Sequence, residues 1–249
     1  MSGNINDLFS SAVQNNDLDQ QAALVLVENL DAVALAGCNG VGLDQIDSDD
    51  VTLVAVVLDE SGSMSPYRQA VIEGFNQMLE ALRESRLPES ILLSTWAFSA
   101  KPRLLFSYTP VTGLNGINGA DFNPDSNTAL YDTLLHVMTG MVAYGQMLRD
   151  NGVRTRGVIV VFSDGEDNTS KANNQQVRTV SNALVAQESY TLAYVGFGSH
   201  DLNQIAREVG FPAVLTVQAS SSEIRRIFHQ VSASIIRSQS TIGANRFFI

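Results

Sequence analysis

Asp59, Ser61 and Ser63 stand at alternate positions in the stretch LVAVVLDESGSMSPYRQAV, which runs from Leu53 to Val71. Alternate residues of an extended segment point the same way, so one carboxylate and two hydroxyls converge on one point. Hard oxygen donors of this kind suit Mg²⁺, which keeps several waters and takes few protein carboxylates; Mn²⁺ fits the same set, and Ca²⁺ less well. A second acid, Asp164, ends another apolar run in VIVVFSDGEDN. Two carboxylates at one rim raise at least one pKa or attract a cation.

Other chemistries ask for residues this chain lacks. A haloacid-type phosphotransferase needs Asp-x-Asp after its first strand, and Ser61 stands where the second acid belongs. A serine nucleophile needs a Gly-x-Ser-x-Gly elbow, and neither Ser61 nor Ser63 is so framed. No Gly-Lys-Ser/Thr marks a P-loop. GFGSHD at 196–201 holds only the first half of a dinucleotide fingerprint and comes late in the chain. His136, His200 and His229 are dispersed, with no spacing that pairs them on zinc.

The acids arrive on recognisable elements. VTLVAVVL is a continuous β-branched run, which predicts a strand buried on both faces. The segment after it has apolar residues at Val71, Phe75, Met78, Leu79 and Leu82, a helical spacing, with Pro66 near its start. SILLSTWAFSA and RLLFSYT are strand-like and joined by AKP, so one of them, carrying Trp96 or Phe106, is expected as an antiparallel edge. Trp96 reads as core. The Gly/Asn-rich stretch GLNGINGADFNPDSNT leads to a second amphipathic helix ending at Gly152. After the Val158–Phe162 strand come helix, strand, helix, a short strand over AVLTVQ and a last helix capped by Ser221 or Ser222. This alternation predicts an α/β fold: a doubly wound, mostly parallel six-stranded sheet flanked by helices. In such sheets ligands bind outside the carboxyl ends of the strands, where both acid-tipped strands deliver their aspartates.

Residues 1–50 read as a helical extension and linker. A helix is expected over roughly 18–36, capped by Asp17 or Asp19 and followed by a Gly/Asp-rich connector with room for a short strand. Asp44, Asp47, Asp49 and Asp50 lack calcium-loop spacing and read as solvated. Residues 51–236 form the main domain, and 237–249 a short, partly apolar tail.

The 249 residues are 45% apolar and 16% charged, a globular composition. A net charge of −11 repels a phosphate backbone, which argues against nucleic acid as a partner. The apolar runs are strand-sized, so no membrane span is expected. A single cysteine, Cys38, forbids an intrachain disulfide and reads as a buried or neutral thiol. With no basic-then-apolar leader at the start, a cytoplasmic location is expected.

DESGSM resembles the Asp-x-Ser-x-Ser signature of von Willebrand factor A domains, whose metal-ion-dependent adhesion site draws on three segments. DSNTALYD supplies a threonine, Thr128, directly before a helix, and VIVVFSDGEDN resembles the family's apolar strand followed by Asp-Gly. The resemblance implies a divalent cation held by Asp59, Ser61, Ser63, Thr128 and Asp164, with Asp59 and Asp164 often orienting hydroxyls and waters. It also implies a protein-binding module rather than an enzyme, with an Asp or Glu of a partner protein completing the ion's coordination. Prokaryotic members with intact motifs often work in the cytoplasm beside AAA+ ATPases of the MoxR type or in stress-response clusters. Around the motif, Glu60, Glu166 and Asp167 read as rim charges, Ser126 and Asn127 as shaping the threonine loop, and Asp132 as an outer-shell or solvated carboxylate. Thr128 also stands where it would cap its helix. Tyr67 and Tyr131 read as packing residues. The competing readings are a structural subunit of an assembly and a metal-assisted phosphoesterase.

Overall fold

The computed structural model describes residues 5–125, 127–165, 167–198, 202–218, 220–239 and 247–248. Six strands form one sheet in the order β3-β2-β1-β4-β5-β6. They are β1 (Asp50–Asp59), β2 (Ile91–Phe98), β3 (Pro102–Pro110), β4 (Arg154–Ser163), β5 (Tyr190–Phe197) and β6 (Ala213–Val217). Every pairing is parallel except β2 with β3. The antiparallel edge is therefore the Phe106 strand, and the Trp96 strand lies inside the sheet.

The helices among the described residues are α1 (Ile5–Gln14), α2 (Gln20–Glu28), α3 (Ala32–Gly37), α4 (Arg68–Arg83), α5 (Leu130–Asp150), α6 (Asn174–Val185), α7 (Leu202–Glu208) and α8 (Ser221–Ser238). They cover both faces of the sheet, which is why β1 over Leu53–Leu58 and β4 over Val158–Phe162 are apolar on both faces. In β1, Val51, Leu53, Ala55 and Val57 enter one core with α5 and α6, while Val54, Val56 and Leu58 enter the other with α4 and α8. β4 does the same, with Ile159 and Val161 on the first face and Val158, Val160 and Phe162 on the second. Asp59 and Ser163 continue the first-face register of their strands. The chain leaves β1 towards β2 and leaves β4 towards β5, in opposite directions along the sheet. The crevice between the ends of β1 and β4 is thus the topological switch point.

The N-terminal residues differ from the expected single helix. They form α1, unforeseen in the sequence, and then α2 and α3 where one helix over 18–36 was expected. Asp19 caps α2 by accepting from the Ala22 N–H at 2.7 Å. The break follows from Asp31, whose carboxylate accepts from the Val33 and Ala34 N–H groups, both at 2.9 Å, and so starts a new helix. Phe9, Leu18 and Leu26 are buried in the first-face core beside α5 and α6. The short strand expected in the connector is reduced to one parallel bridge, Gly40 to Tyr108. Gly40 lies against the Tyr144 ring so closely that a β-carbon would fall 2.3 Å from it. Ser220, rather than Ser221 or Ser222, caps α8. Cys38 is half-buried and its thiol is pushed up to about 12 by that burial, which keeps it neutral.

Candidate metal centre at the sheet edge

β1 and β4 end side by side and their last polar groups meet. Asp59 is fully buried. One of its oxygens accepts from the Ser61 N–H at 2.8 Å and the other from the Ser163 hydroxyl at 2.5 Å. Ser61, buried, and Ser63, exposed, bring their hydroxyls to 3.0 Å of each other. The Ser63 hydroxyl donates to Asp164 at 2.8 Å. The tight turn behind this arrangement is a 3₁₀ segment, Gly62–Tyr67, that contains Pro66 and precedes α4. A continuous row of side-chain oxygens thus runs from Ser61 through Ser63 to Asp164, with Asp59 beneath it.

The third segment is tied to the ends of the strands: the Ala129 N–H donates to the Ser99 carbonyl just after β2 at 2.7 Å, and Thr128 is bonded to the loop after β4. Thr128 is buried. α5 starts at Leu130 with Ala129 as its N-cap and no side-chain cap of its own. The expected Thr128 cap is replaced by side chains of the loop after β4. Asn168 accepts from the Thr128 N–H at 2.9 Å and returns its own N–H to the Thr128 carbonyl at 3.0 Å. Asp167 accepts from the Tyr131 N–H at 3.2 Å, and the Ser170 hydroxyl from the Asp132 N–H at 3.0 Å. These bonds use the Thr128 backbone and leave its hydroxyl out. Asp132 reaches back, accepting from the N–H groups of Lys171 at 3.1 Å and Ala172 at 2.9 Å. The threonine loop and the Asp164 loop are locked together by reciprocal capping.

Two acids expected on the rim have other work. Glu60 is buried and meets Arg103 at 2.8 Å. It also accepts from the Asn123 N–H, while its carbonyl takes the Asp125 N–H at 2.9 Å. Glu60 therefore anchors the Gly/Asn-rich loop instead of facing a partner. Asp167, half-buried, caps α5 as above. The same long loop is fastened to α4 by Asn76, which exchanges two 2.9 Å bonds with the Ile117 backbone, and by Arg68, which donates to the Phe122 carbonyl at 2.9 Å. Asn127 is exposed, and Glu166, Ser126 and His200 lie outside the described residues. Sequence reasoning missed Ser163, Asn168 and Arg103. Ser163 was legible as the first-face residue preceding Asp164, whereas the other two act only through loop geometry.

Burial pushes the Asp59 carboxyl up to about 6; the hydrogen bonds from Ser163 and Ser61 oppose the rise and the nearby Asp164 charge adds to it. The Tyr194 phenol on β5, fully buried, is likewise pushed up, chiefly by burial, with Asp59 and Asp164 adding to the shift. The donor set fits a hard divalent cation: hydroxyl oxygens already in contact, one carboxylate bonded to them, and a second, buried carboxylate that no described basic side chain neutralises. The set is built on hydroxyls, and among the described residues no three His, Cys, Asp or Glu side chains gather into a metal site of their own.

The molecule is thus a doubly wound α/β domain with an oxygen-lined socket at its topological switch point. The family model of the von Willebrand factor type A domain matches residues 54–230, and the chain belongs to that family. Similar solved structures include a pilus adhesin, SpaC, from Lactobacillus rhamnosus GG, at TM-score 0.57 and 12% identity over 75% of this chain and 31% of that one. The PilB minor pilin of Streptococcus sanguinis, as a D319A mutant, matches at TM-score 0.53 and 13% identity over 75% of this chain and 62% of that one. Proximal thread matrix protein 1 of the mussel byssus, in a form with a zinc-occupied MIDAS motif, matches at TM-score 0.51 and 15% identity over 77% and 47%. This chain spans less than two thirds of each of these proteins, and at such identities the likeness is one of fold. A comparison with curated proteins finds no match. No described helix is long and apolar enough to cross a membrane.

Proposed function

We propose that this chain is a metal-dependent protein-binding module. Asp59, Ser61, Ser63, Thr128 and Asp164 would hold a divalent cation, Mg²⁺ first, with Mn²⁺ or Ca²⁺ as substitutes. When bound, the ion supplies an electrophilic point for an Asp or Glu of a partner protein. The single observation that carries this reading is the contact row of Ser61, Ser63 and Asp164 above the buried Asp59. The chain's own residues do the rest. Ser163 and the Ser61 N–H orient the Asp59 carboxylate, and Asn168 fixes the backbone that carries Thr128. A zinc-occupied motif in a protein of the same fold supports a divalent ion here.

Binding is favoured over phosphoester chemistry because Ser61 stands where a second acid would have to act beside Asp59. A MoxR-type AAA+ ATPase is the partner to try first, and a cytoplasmic setting goes with it; fractionation of the native protein checks that setting, since pilins and a pilus adhesin share the fold. The test of function is affinity capture in Mg²⁺ against EDTA. Partners should be retained only with the metal, and should be lost with Asp59→Ala or with Ser61→Ala and Ser63→Ala combined, while circular dichroism stays unchanged. Capture that persists in EDTA and in these variants rules the reading out.

A further inference from the structure

Tyr194 carries a buried hydroxyl that the contacts of the metal centre leave unused. Its side chain is fully buried on the first face of β5, and its oxygen has no hydrogen-bond partner among the described residues. A buried donor left unmade is costly, so such a group marks either strain or a partner gained in the working state.

The register of the sheet decides where that hydroxyl lies. Ser163, the last residue of β4, pairs with Gly196, and Val161 pairs with Tyr194. Alternate residues of a strand share a face, so Tyr194 and Gly196 lie on the face of Ser163. Gly196 has no side chain to offer, and the nearest one that β5 brings to Ser163 on that face is Tyr194. Its ring packs edge-on against Phe211, with centroids 6.5 Å apart and planes at 86°. The polar groups that act on its phenol are Ser163, Asp59, Asp164 and Tyr131, and all four belong to the metal centre or border it. The phenol thus points at the carboxyl edge of the sheet.

Ser163 has room for this donor. Its single proton goes to Asp59 at 2.5 Å, and it accepts from the Gly165 N–H at 3.3 Å. A hydroxyl has one donor and two acceptor sites, so these bonds leave one acceptor site on Ser163 open.

We propose that Tyr194 is a positioning residue of the metal centre: in the metal-bound protein its hydroxyl donates to the Ser163 oxygen, and the relay from Tyr194 through Ser163 to Asp59 holds that carboxylate in its orientation. The proposal rests on the metal-dependent reading above and adds a residue from β5 to that site. Donation to Ser163 polarises its hydroxyl and strengthens the bond it gives to Asp59, because hydrogen bonds in a chain reinforce one another where water is excluded. Partners of this kind raise the affinity of a metal site without touching the ion.

The test compares the full chain with Tyr194→Phe, which keeps the ring, with Ser163→Ala and with the double variant. Groups hydrogen-bonded to a metal ligand typically matter about ten- to hundredfold, and Tyr194 acts through one further bond, so Mg²⁺ affinity by titration calorimetry should fall about three- to tenfold in Tyr194→Phe. The double variant should bind no more weakly than Ser163→Ala alone, because the two hydroxyls act in series. In EDTA, Tyr194→Phe should resist urea at least as well as the parent, since it loses only an unpaired hydroxyl, whereas a tyrosine with a purely structural role would lose stability there and keep its affinity. Parental affinity in Tyr194→Phe, losses that add in the double variant, or a less stable Tyr194→Phe in EDTA overturns the proposal and leaves the metal reading standing. A parent chain that binds no Mg²⁺ removes both.

Discussion

Asp59 concentrates the physical tension of the site. A carboxylate at the end of a strand buried on both faces must leave water, and its pKa of about 6 records that cost. The sign follows from proton linkage: the folded state binds the proton more tightly than the unfolded chain, whose carboxyl titrates near 3.8. In EDTA, the contribution of Asp59 to stability should therefore be most favourable below about pH 4, decline as pH rises to about 6, and stay at the lower level above it, read as the difference between the parent and a variant without the carboxyl. Asp59→Asn should remove that decline and raise the unfolding free energy at pH 7 by about 2 kcal/mol, while abolishing the metal response. Urea unfolding at pH 4 and pH 7, with and without Mg²⁺, measures both effects. A variant that is less stable than the parent at pH 7 in EDTA contradicts this account of the buried charge. Asp59, Ser61, Ser63 and Asp164 were legible in the sequence because type, spacing and strand ends placed them, whereas Thr128 was singled out by the family resemblance. Glu60 was misread as a rim charge because its partner, Arg103, is 43 positions away, and no local pattern announces such a pair.

At the scale of elements, the site depends on two loops that complete each other. α5 begins without a cap of its own and borrows Asn168, Asp167 and Ser170 from the loop after β4. Asn168→Ala would leave the Thr128 N–H without its partner at the start of the helix, at a cost of about 1–2 kcal/mol. Divalent-ion affinity, read by titration calorimetry, should fall about five- to thirtyfold if that cost lands on the bound state. Asn168→Asp, which keeps an acceptor in place, should restore most of it. Equal affinities in the parent and the alanine variant would show that Thr128 is positioned by something else. Alternating apolar periods revealed the helices and strands that bear these loops. The capping itself was hidden, since Thr128 alone looked sufficient to cap α5.

For the whole molecule, the N-terminal helices are part of the fold's first-face core. Leu26 is fully buried there, whereas Leu24, two positions earlier, is 56% exposed. Leu26→Ala should lower the unfolding free energy by about 3 kcal/mol in a single cooperative transition, and Leu24→Ala should change it by less than about 0.5 kcal/mol. A separate early transition in the Leu26 variant would mean that α1–α3 unfold independently of the sheet. Composition and periodicity foretold the six-stranded architecture. They left the first fifty residues as an extension because a short helix shows which face is apolar but not what that face will meet.

The central claim is that a divalent cation sits where β1, β4 and the start of α5 converge. The most direct measurement is anomalous scattering from crystals soaked in Mn²⁺. The account predicts one strong peak among the side-chain oxygens of Ser61, Ser63 and Thr128, close to Asp59 and Asp164, and no such peak in crystals of the Ser61→Ala, Ser63→Ala protein. Ordered protein at saturating Mn²⁺ with no density at that point, or a peak that survives in the double variant, would contradict it.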